Sequence, residues 1–228
     1  MVRSQVTSLL GLALVCVSAD VVAGLPTATA IAAKTQALYD PAVSYEADFL
    51  RTEYYPAQPD LEGHVSAQKG RLLRIEYAPP SKAIIMSDGS VTWRYDGATQ
   101  TACSEVAARS LEPALFGFAL QSGYLVKGIV ISSFVSASIP VTFGTVYSKY
   151  PVWAIEAPSL GATASIGPLT TLVFGVYQST GQVMMLAGMG PGTDVRYMLY
   201  NQQLHSQALP ASTFSWAPPA GTTIKTKC

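Results

Sequence analysis

The sequence predicts a mainly β fold (α+β), a curved antiparallel meander with short helices set against it as a plug. Three observations predict it. Residues 70–97, GRLLRIEYAPPSKAIIMSDGSVTWRYDG, contain three short extended runs separated by turn chemistry. Comparable hairpin patterns return from Tyr150 onward. No repeat, low-complexity block or linker divides residues 24–228, so they read as one domain. A sheet this long must curl or close to bury its apolar face and protect its edges. Curled and plugged by helices, it encloses a concave apolar chamber.

Bulk composition narrows the function. Lys and Arg (14) balance Asp and Glu (14), which leaves no electrostatic footprint for nucleic acid. Charged residues make up 12% of the chain, against about 25% in ordinary domains, and the mean hydropathy is +0.28. A chain so poor in charge exposes apolar surface or has a large apolar interior. Residues 1–23 read as a secretory signal peptide: Arg3, an apolar run from Val6 to Val17, and small residues for cleavage near Ala19 or Ala23. That run is shorter than the roughly 20 residues needed to span a bilayer, so the mature chain is expected to be exported and soluble. Cys16 sits inside it without the Leu and small residue of a lipoprotein signal, having Ala13 and Val15 instead. After cleavage Cys103 and Cys228 remain; in an oxidising compartment they can pair or stay apart. Neither spacing nor histidine content suggests a metal, and no cofactor is called for.

Each element follows from local pattern. Residues 27–39 are Ala-rich, with Ile31, Thr35 and Leu38 at helical spacing, and predict an amphipathic helix ending before Asp40-Pro41. Val43 to Tyr55 predicts a strand with Val43, Tyr45, Ala47 and Phe49 on one face. Pro56 to Gly63 reads as a loop, and His64 to Lys69 starts the ladder into the meander. Val65, Ala67, Leu73, Ile75 and Tyr77 share one face unless a bulge at Gly70 changes the parity. Ala78-Pro79-Pro80-Ser81 breaks the run, since proline has no N–H for a ladder. Ile84 to Met86 resumes it, residues 87–90 turn, and Val91, Trp93 and Tyr95 alternate with Thr92, Arg94 and Asp96. Gln100 to Glu112 is polar and reads as irregular. Pro113 to Gln121 (PALFGFALQ) is a short apolar helix or loop, with Gly117 and Gly123 permitting movement as a lid. Gly128 to Tyr147 stays open between strand and loop; Val152 to Glu156, Thr170 to Gln178, Gln182 to Met189 and Thr193 to Leu204 are strands.

Several of these pieces, in this order, resemble the LolA-type periplasmic lipoprotein carriers over nearly the whole mature length. They are the leading helix, Tyr45-Glu46-Ala47-Asp48-Phe49, Arg74-Ile75-Glu76-Tyr77 with Pro79-Pro80, and Met86-Ser87-Asp88-Gly89 with Val91-Thr92-Trp93-Arg94-Tyr95-Asp96. Pro113-Ala114-Leu115-Phe116 and the closing Phe214-Ser215-Trp216-Ala217-Pro218-Pro219-Ala220-Gly221 complete the set. The resemblance implies an incompletely closed antiparallel barrel whose inner face binds acyl chains of lipoproteins under a helical lid. It implies a monomeric carrier that takes cargo from an inner-membrane LolCDE-type ABC complex and passes it to a LolB-type receptor. The implied cavity lining is Tyr45, Phe49, Leu73, Ile75, Tyr77, Ile84, Met86, Val91, Trp93, Tyr95, Phe174 and Met184. The implied lid is Leu115, Phe116, Phe118 and Leu120. The family's lid-tethering arginine has no counterpart here: the place reads Lys69-Gly70-Arg71, which makes Lys69 and Arg71 the latch candidates.

Physics fits a carrier. Removing one roughly sixteen-carbon chain from water is worth on the order of 10 kcal/mol, so such chains cross water only when covered. Release then requires a lid that competes with the cargo. Each apolar residue above equally suits a plain core, and Lys69 and Arg71 equally suit solvated strand positions. A lipid or stress sensor on the same fold is the alternative. An enzyme has less support: His64 and His205 lie in polar contexts and no G-x-S-x-G is present.

Overall fold

The computed structural model describes residues 25–55, 57–129, 131, 133–143, 146–158, 163–164, 167–225 and 228. The expected signal peptide, with Cys16, lies outside them. Helix α1 (Ala28–Tyr39) is N-capped by Thr27, whose Oγ1 accepts from the Ala30 amide at 3.1 Å, and it stops at Asp40-Pro41 as expected. The strands that follow are β1 (Ser44–Tyr55), β2 (Ala57–Gln68), β3 (Leu72–Tyr77), β4 (Ile84–Ser87), β5 (Val91–Asp96) and β6 (Thr101–Val106). Helices α2 (Leu111–Leu115) and α3 (Gly117–Leu120) and a π-turn at Tyr124–Gly128 come next. The second set of strands is β7 (Ser133–Phe143), β8 (Val146–Pro158), the small ribbon β9 (Thr163–Ala164) and β10 (Gly167–Pro168), β11 (Thr171–Tyr177), β12 (Val183–Gly190) and β13 (Thr193–His205). β14 (Thr223–Lys225) is last.

Among the described residues, twelve strands form one curved sheet that does not close, in the order β14-β6-β5-β4-β3-β2-β1-β13-β12-β11-β8-β7. Two antiparallel meanders, β1–β6 and β7–β13, are joined where β1 pairs with β13. β14 runs parallel to β6, and the other described ladders of the sheet are antiparallel. Two local expectations fail, and the shared face of Val65, Ala67, Leu73, Ile75 and Tyr77 holds. Residues 57–63 are not a loop: β2 pairs with β1 from Tyr54↔Ala57 onward, because alternation can be masked by polar residues when both faces are wet near a hairpin tip. Gln100 to Glu112 is not irregular throughout, since β6 pairs with β5 over Thr101–Val106. Gly70 holds no bulge; with Lys69 and Arg71 it makes a three-residue turn between Gln68 and Leu72, at φ +96° for Gly70 and +72° for Arg71. The segment left open, 128–147, contains β7 and the start of β8.

Register decides which side chains face the helices. Leu73 pairs with Ala67 and Ser87, Ile75 with Val65 and Ile85, and Ser87 with Thr92. The helix-bearing face of β4 and β5 therefore carries Ile85, Ser87, Thr92 and Arg94. Ile84, Met86, Val91, Trp93 and Tyr95 point to the other side. There the C-terminal segment covers them: Trp216 lies 6.2 Å from Trp93 and 5.7 Å from Tyr95 between ring centroids, and the Thr213 carbonyl accepts from Arg74 Nη1 at 3.2 Å. The segment is tied down at its end by a disulfide between Cys228 and Cys103 of β6, 125 residues apart. Cys103→Ala is expected to lower stability by about 2–5 kcal/mol, the usual cost of losing a native disulfide. Thermal unfolding of the variant beside the reduced parent checks this; matching transitions for oxidised and reduced protein would contradict it.

Candidate functional site

The helix-bearing face and the helices share one core. From the sheet come Tyr45 and Phe49 (β1), Leu73, Ile75 and Tyr77 (β3), Ile85 (β4), Phe174 (β11) and Leu186 (β12), all buried. From the helices come Leu111, Leu115, Phe116, Phe118 and Leu120, each at most 1% exposed. Phe118 inserts edge-on between Tyr39 (4.6 Å) and Tyr45 (5.8 Å), and Phe116 meets Tyr197 at 5.9 Å. The apolar face of the sheet is thus filled by side chains of the α2–α3 segment.

Of the residues the sequence suggests as lining, Tyr45, Phe49, Leu73, Ile75, Tyr77 and Phe174 lie on this face. Ile84, Met86, Val91, Trp93 and Tyr95 do not, for the register reason above. Met184 does not either: β12 is irregular against β11 at Gly175/Val176, and Met184 packs with Val152, Val173, Met185 and Ala187 in a second cluster on the opposite side. The two latch candidates make different contacts, and Arg71 reaches the C-cap residue of α3. Lys69 Nζ donates to the Asp40 carbonyl at the end of α1, and exposed Arg71 reaches the Gln121 side chain, at 3.4 Å. The lid carbonyl of Phe118 is instead held by Gln36 Nε2 at 3.3 Å, while Gln36 Oε1 accepts from the Leu125 amide at 2.9 Å.

The arginine that grips the lid is Arg94. Its Nη1 and Nη2 donate to the two carboxylate oxygens of Glu112 in α2, at 3.1 and 2.5 Å; Nη2 also donates to Ser110 Oγ at 2.9 Å, and Nε to Glu105 at 3.0 Å. Glu112 is 2% exposed and accepts at 3.3 Å from Tyr197 Oη, which is 3.2 Å from Tyr77 Oη. Arg51 lies beside this network, paired with Glu53 and 5.9 Å from the rings of both Tyr77 and Tyr197. Burial alone would raise the Glu112 carboxyl, but the Arg94 charge and its hydrogen bonds, with Arg51 beyond, hold it below the ordinary glutamate value of 4.5. A fork-on-carboxylate clamp of this kind is the strongest polar bond available to hold a short helix. Ladder register finds Arg94, which pairs with Ile85 across β4 and β5, where alternation within β5 alone turns it to the polar side. Glu112 gives no signal, because an acid in the first turn of a helix reads as a partner for the helix dipole.

Glycine acts here through contact. A Cβ on Gly117 would come within 2.3 Å of the Tyr124 ring, and one on Gly128 within 2.8 Å, so the ring lies flat against both backbones. Tyr124 Oη then donates to the Ala114 carbonyl at 2.7 Å and ties the π-turn to α2. The expectation that Gly117 is there to permit movement gives way to this close approach. Cavities flank the lid. One of about 210 Å³ is lined by Pro113, Ala114, Leu120, Tyr124, Ile129 and Leu172. Another of about 310 Å³ has Leu61, Ala83 and Ile85 as walls and Arg51, Arg94 and Glu112 as floor.

Residues 42–126, which hold β1–β6, the clamp and the lid, match the family model of the outer membrane lipoprotein carrier protein LolA. This part of the chain is LolA-like. No curated protein matches the chain. Similar solved structures include an uncharacterized conserved protein from Thermus thermophilus, at 10% identity and TM-score 0.48 over 86% of this chain and 97% of that one. A LolA superfamily protein from Nitrosomonas europaea aligns at 11% identity and TM-score 0.44, over 84% and 99%. LprF from Mycobacterium bovis aligns at 9% and 0.43, over 77% and 92%. The histidines stand on the outer side of the sheet: His64 is 2.8 Å from Asp48, His205 is 3.0 Å from Glu46, and His64 is about half exposed. Among the described residues no group of three His, Cys, Asp or Glu side chains is arranged to hold a metal ion.

Two outcomes follow for the lid. Because the folded Glu112 pKa lies below its free value, its contribution is complete above pH 4.5 and is lost as pH falls through the depressed value. Protection factors over residues 111–120, with the intrinsic pH dependence of amide exchange removed, should therefore fall on acidification in the parent, and Glu112→Gln should flatten that dependence. Arg94→Ala should cost about 3–5 kcal/mol, since it leaves a buried carboxylate unpaired. Gly117→Ala should displace Tyr124 and raise exchange across the same residues with little change in β1–β3; a lid as protected as the parent's would contradict the contact reading.

Proposed function

We propose that this protein is an extracytoplasmic lipid-binding carrier that shelters the acyl chains of lipoproteins beneath its lid. One observation carries the reading: the apolar face of an open sheet is filled by side chains of two very short helices, Phe116 and Phe118 foremost, held by one buried polar clamp. Isolated helices of four and five residues have no stability of their own, so these depend on what they cover and on what holds them. Cargo competes for the same face. Each methylene it buries is worth about 0.8 kcal/mol, while a displaced lid forfeits its own burial, so the net affinity stays modest and release stays feasible. The match of residues 42–126 to a lipoprotein carrier family supports the choice of cargo. On this reading cargo is received from a LolCDE-type complex in the inner membrane and handed to a LolB-type receptor. No step of bond making or breaking is involved.

Purified protein is expected to enhance the fluorescence of a lipophilic probe, to lose that signal when a long-chain acyl ligand is added, and to extract a lipoprotein from inner-membrane vesicles. Neither probe binding nor extraction by folded protein would sink the reading.

A further inference from the structure

The clamp is open to one of the cavities beside it. Arg94, Glu112 and Arg51 form the floor of the 310 Å³ cavity, whose walls are Leu61, Ala83 and Ile85. Two guanidinium groups here pair with three carboxylates, Glu53 on Arg51, and Glu105 and Glu112 on Arg94, while Lys225 and Asp96 add one charge of each sign to the lining. Glu53 and Glu105 belong to β1 and β6, so they stay with the sheet, whereas Glu112 belongs to α2 and leaves when the lid leaves. An open lid therefore strips one anion from a half-buried pair of cations. Arg51 is also incompletely used, because its buried Nε–H has no acceptor among the described residues. An unsatisfied buried guanidinium donor is costly.

We propose that this cavity is an anion subsite for an acidic amphiphile, one whose headgroup carries a carboxylate or phosphate. The anion takes the place of Glu112 on Arg94 and accepts from the free Nε–H of Arg51, while the apolar tail runs along Leu61, Ala83 and Ile85 into the chamber the lid vacates. Lid release then needs both halves of the amphiphile, the headgroup to replace Glu112 and the tail to replace the apolar cover that α2 and α3 give up. The floor keeps its third anion, and Glu112 moves to water, where a carboxylate is well solvated. An uncharged amphiphile gains the chamber but leaves two half-buried cations short of a partner. The inference rests on the lipid-binding reading and adds to it a headgroup class and a trigger.

The test compares dodecyl phosphate with dodecyl maltoside, both below their micellar concentrations and at fixed ionic strength, with inorganic phosphate as a third arm. Binding is read by intrinsic fluorescence or calorimetry and lid release by hydrogen exchange over residues 111–120. Dodecyl phosphate is expected to bind about tenfold tighter or better than the maltoside, the worth of a charge-assisted hydrogen bond. It is expected to accelerate lid exchange where inorganic phosphate alone does not, and Arg51→Gln is expected to erase the preference. Equal affinities in the parent, a preference that survives Arg51→Gln, or the same acceleration by inorganic phosphate would each overturn the proposal while leaving the carrier reading standing. If neither amphiphile binds, the carrier reading falls with it. Should Arg51→Gln not fold, the exchange comparison in the parent decides.

Discussion

An open twelve-stranded sheet has an apolar face that water cannot be allowed to reach, and the rest of the molecule is arranged around covering it. A closed barrel would cover it with itself. This sheet does not close, so the cover must come from helices, and α2 and α3 are too short to hold themselves together. Their position depends on the bond between Arg94 and Glu112, supported by Gln36 from α1 and by the Tyr124 ring pressed against Gly117. The cover is attached through a few polar contacts and fills the face with apolar ones. Those two kinds of interaction respond to different things, charge in the first case and hydrocarbon in the second.

Much of the architecture is legible in the sequence. The alternation in β1 and β3 places Tyr45, Phe49, Leu73, Ile75 and Tyr77 on the covered face, and the N-cap and Asp40-Pro41 bound α1. The failures on β4 and β5 share one physical cause. Hydrophobicity marks the inside of a strand only when its other side is wet, but on β4 and β5 both sides are covered, one by the lid and the other by the C-terminal segment with Trp216. Where two surfaces are sheltered, size and apolarity no longer tell them apart, and only ladder register does. Pattern alone therefore turns Trp93 and Tyr95 inward and Arg94 outward, the reverse of their placement.

The same reversal hides the clamp. A charged residue in an alternating strand reads as solvated because a lone buried charge is prohibitively costly. Arg94 is half-buried with two carboxylates and a hydroxyl around it, supplied by β6, by α2 and by Ser110, and sequence separation conceals all of them. Lys69 and Arg71 look better placed only because they lie where the related family keeps its arginine. In this chain Arg94, three strands along the sheet on β5, holds α2 through the Glu112 carboxylate, while Lys69 and Arg71 after β2 reach the Asp40 carbonyl and the Gln121 side chain.

The topology also sets an order in time. Strands β1 to β6 form a meander of neighbours, and so do β7 to β13, but β1 must also pair with β13 across some of the longest separations in the sheet. Local hairpins close early and distant pairings late, so the first meander exists with β1 as a bare edge until the second arrives. During that interval the apolar half of the sheet offers both an unpaired ladder and an uncovered face. The most vulnerable species in the life of this protein is therefore its own N-terminal half, waiting for β13.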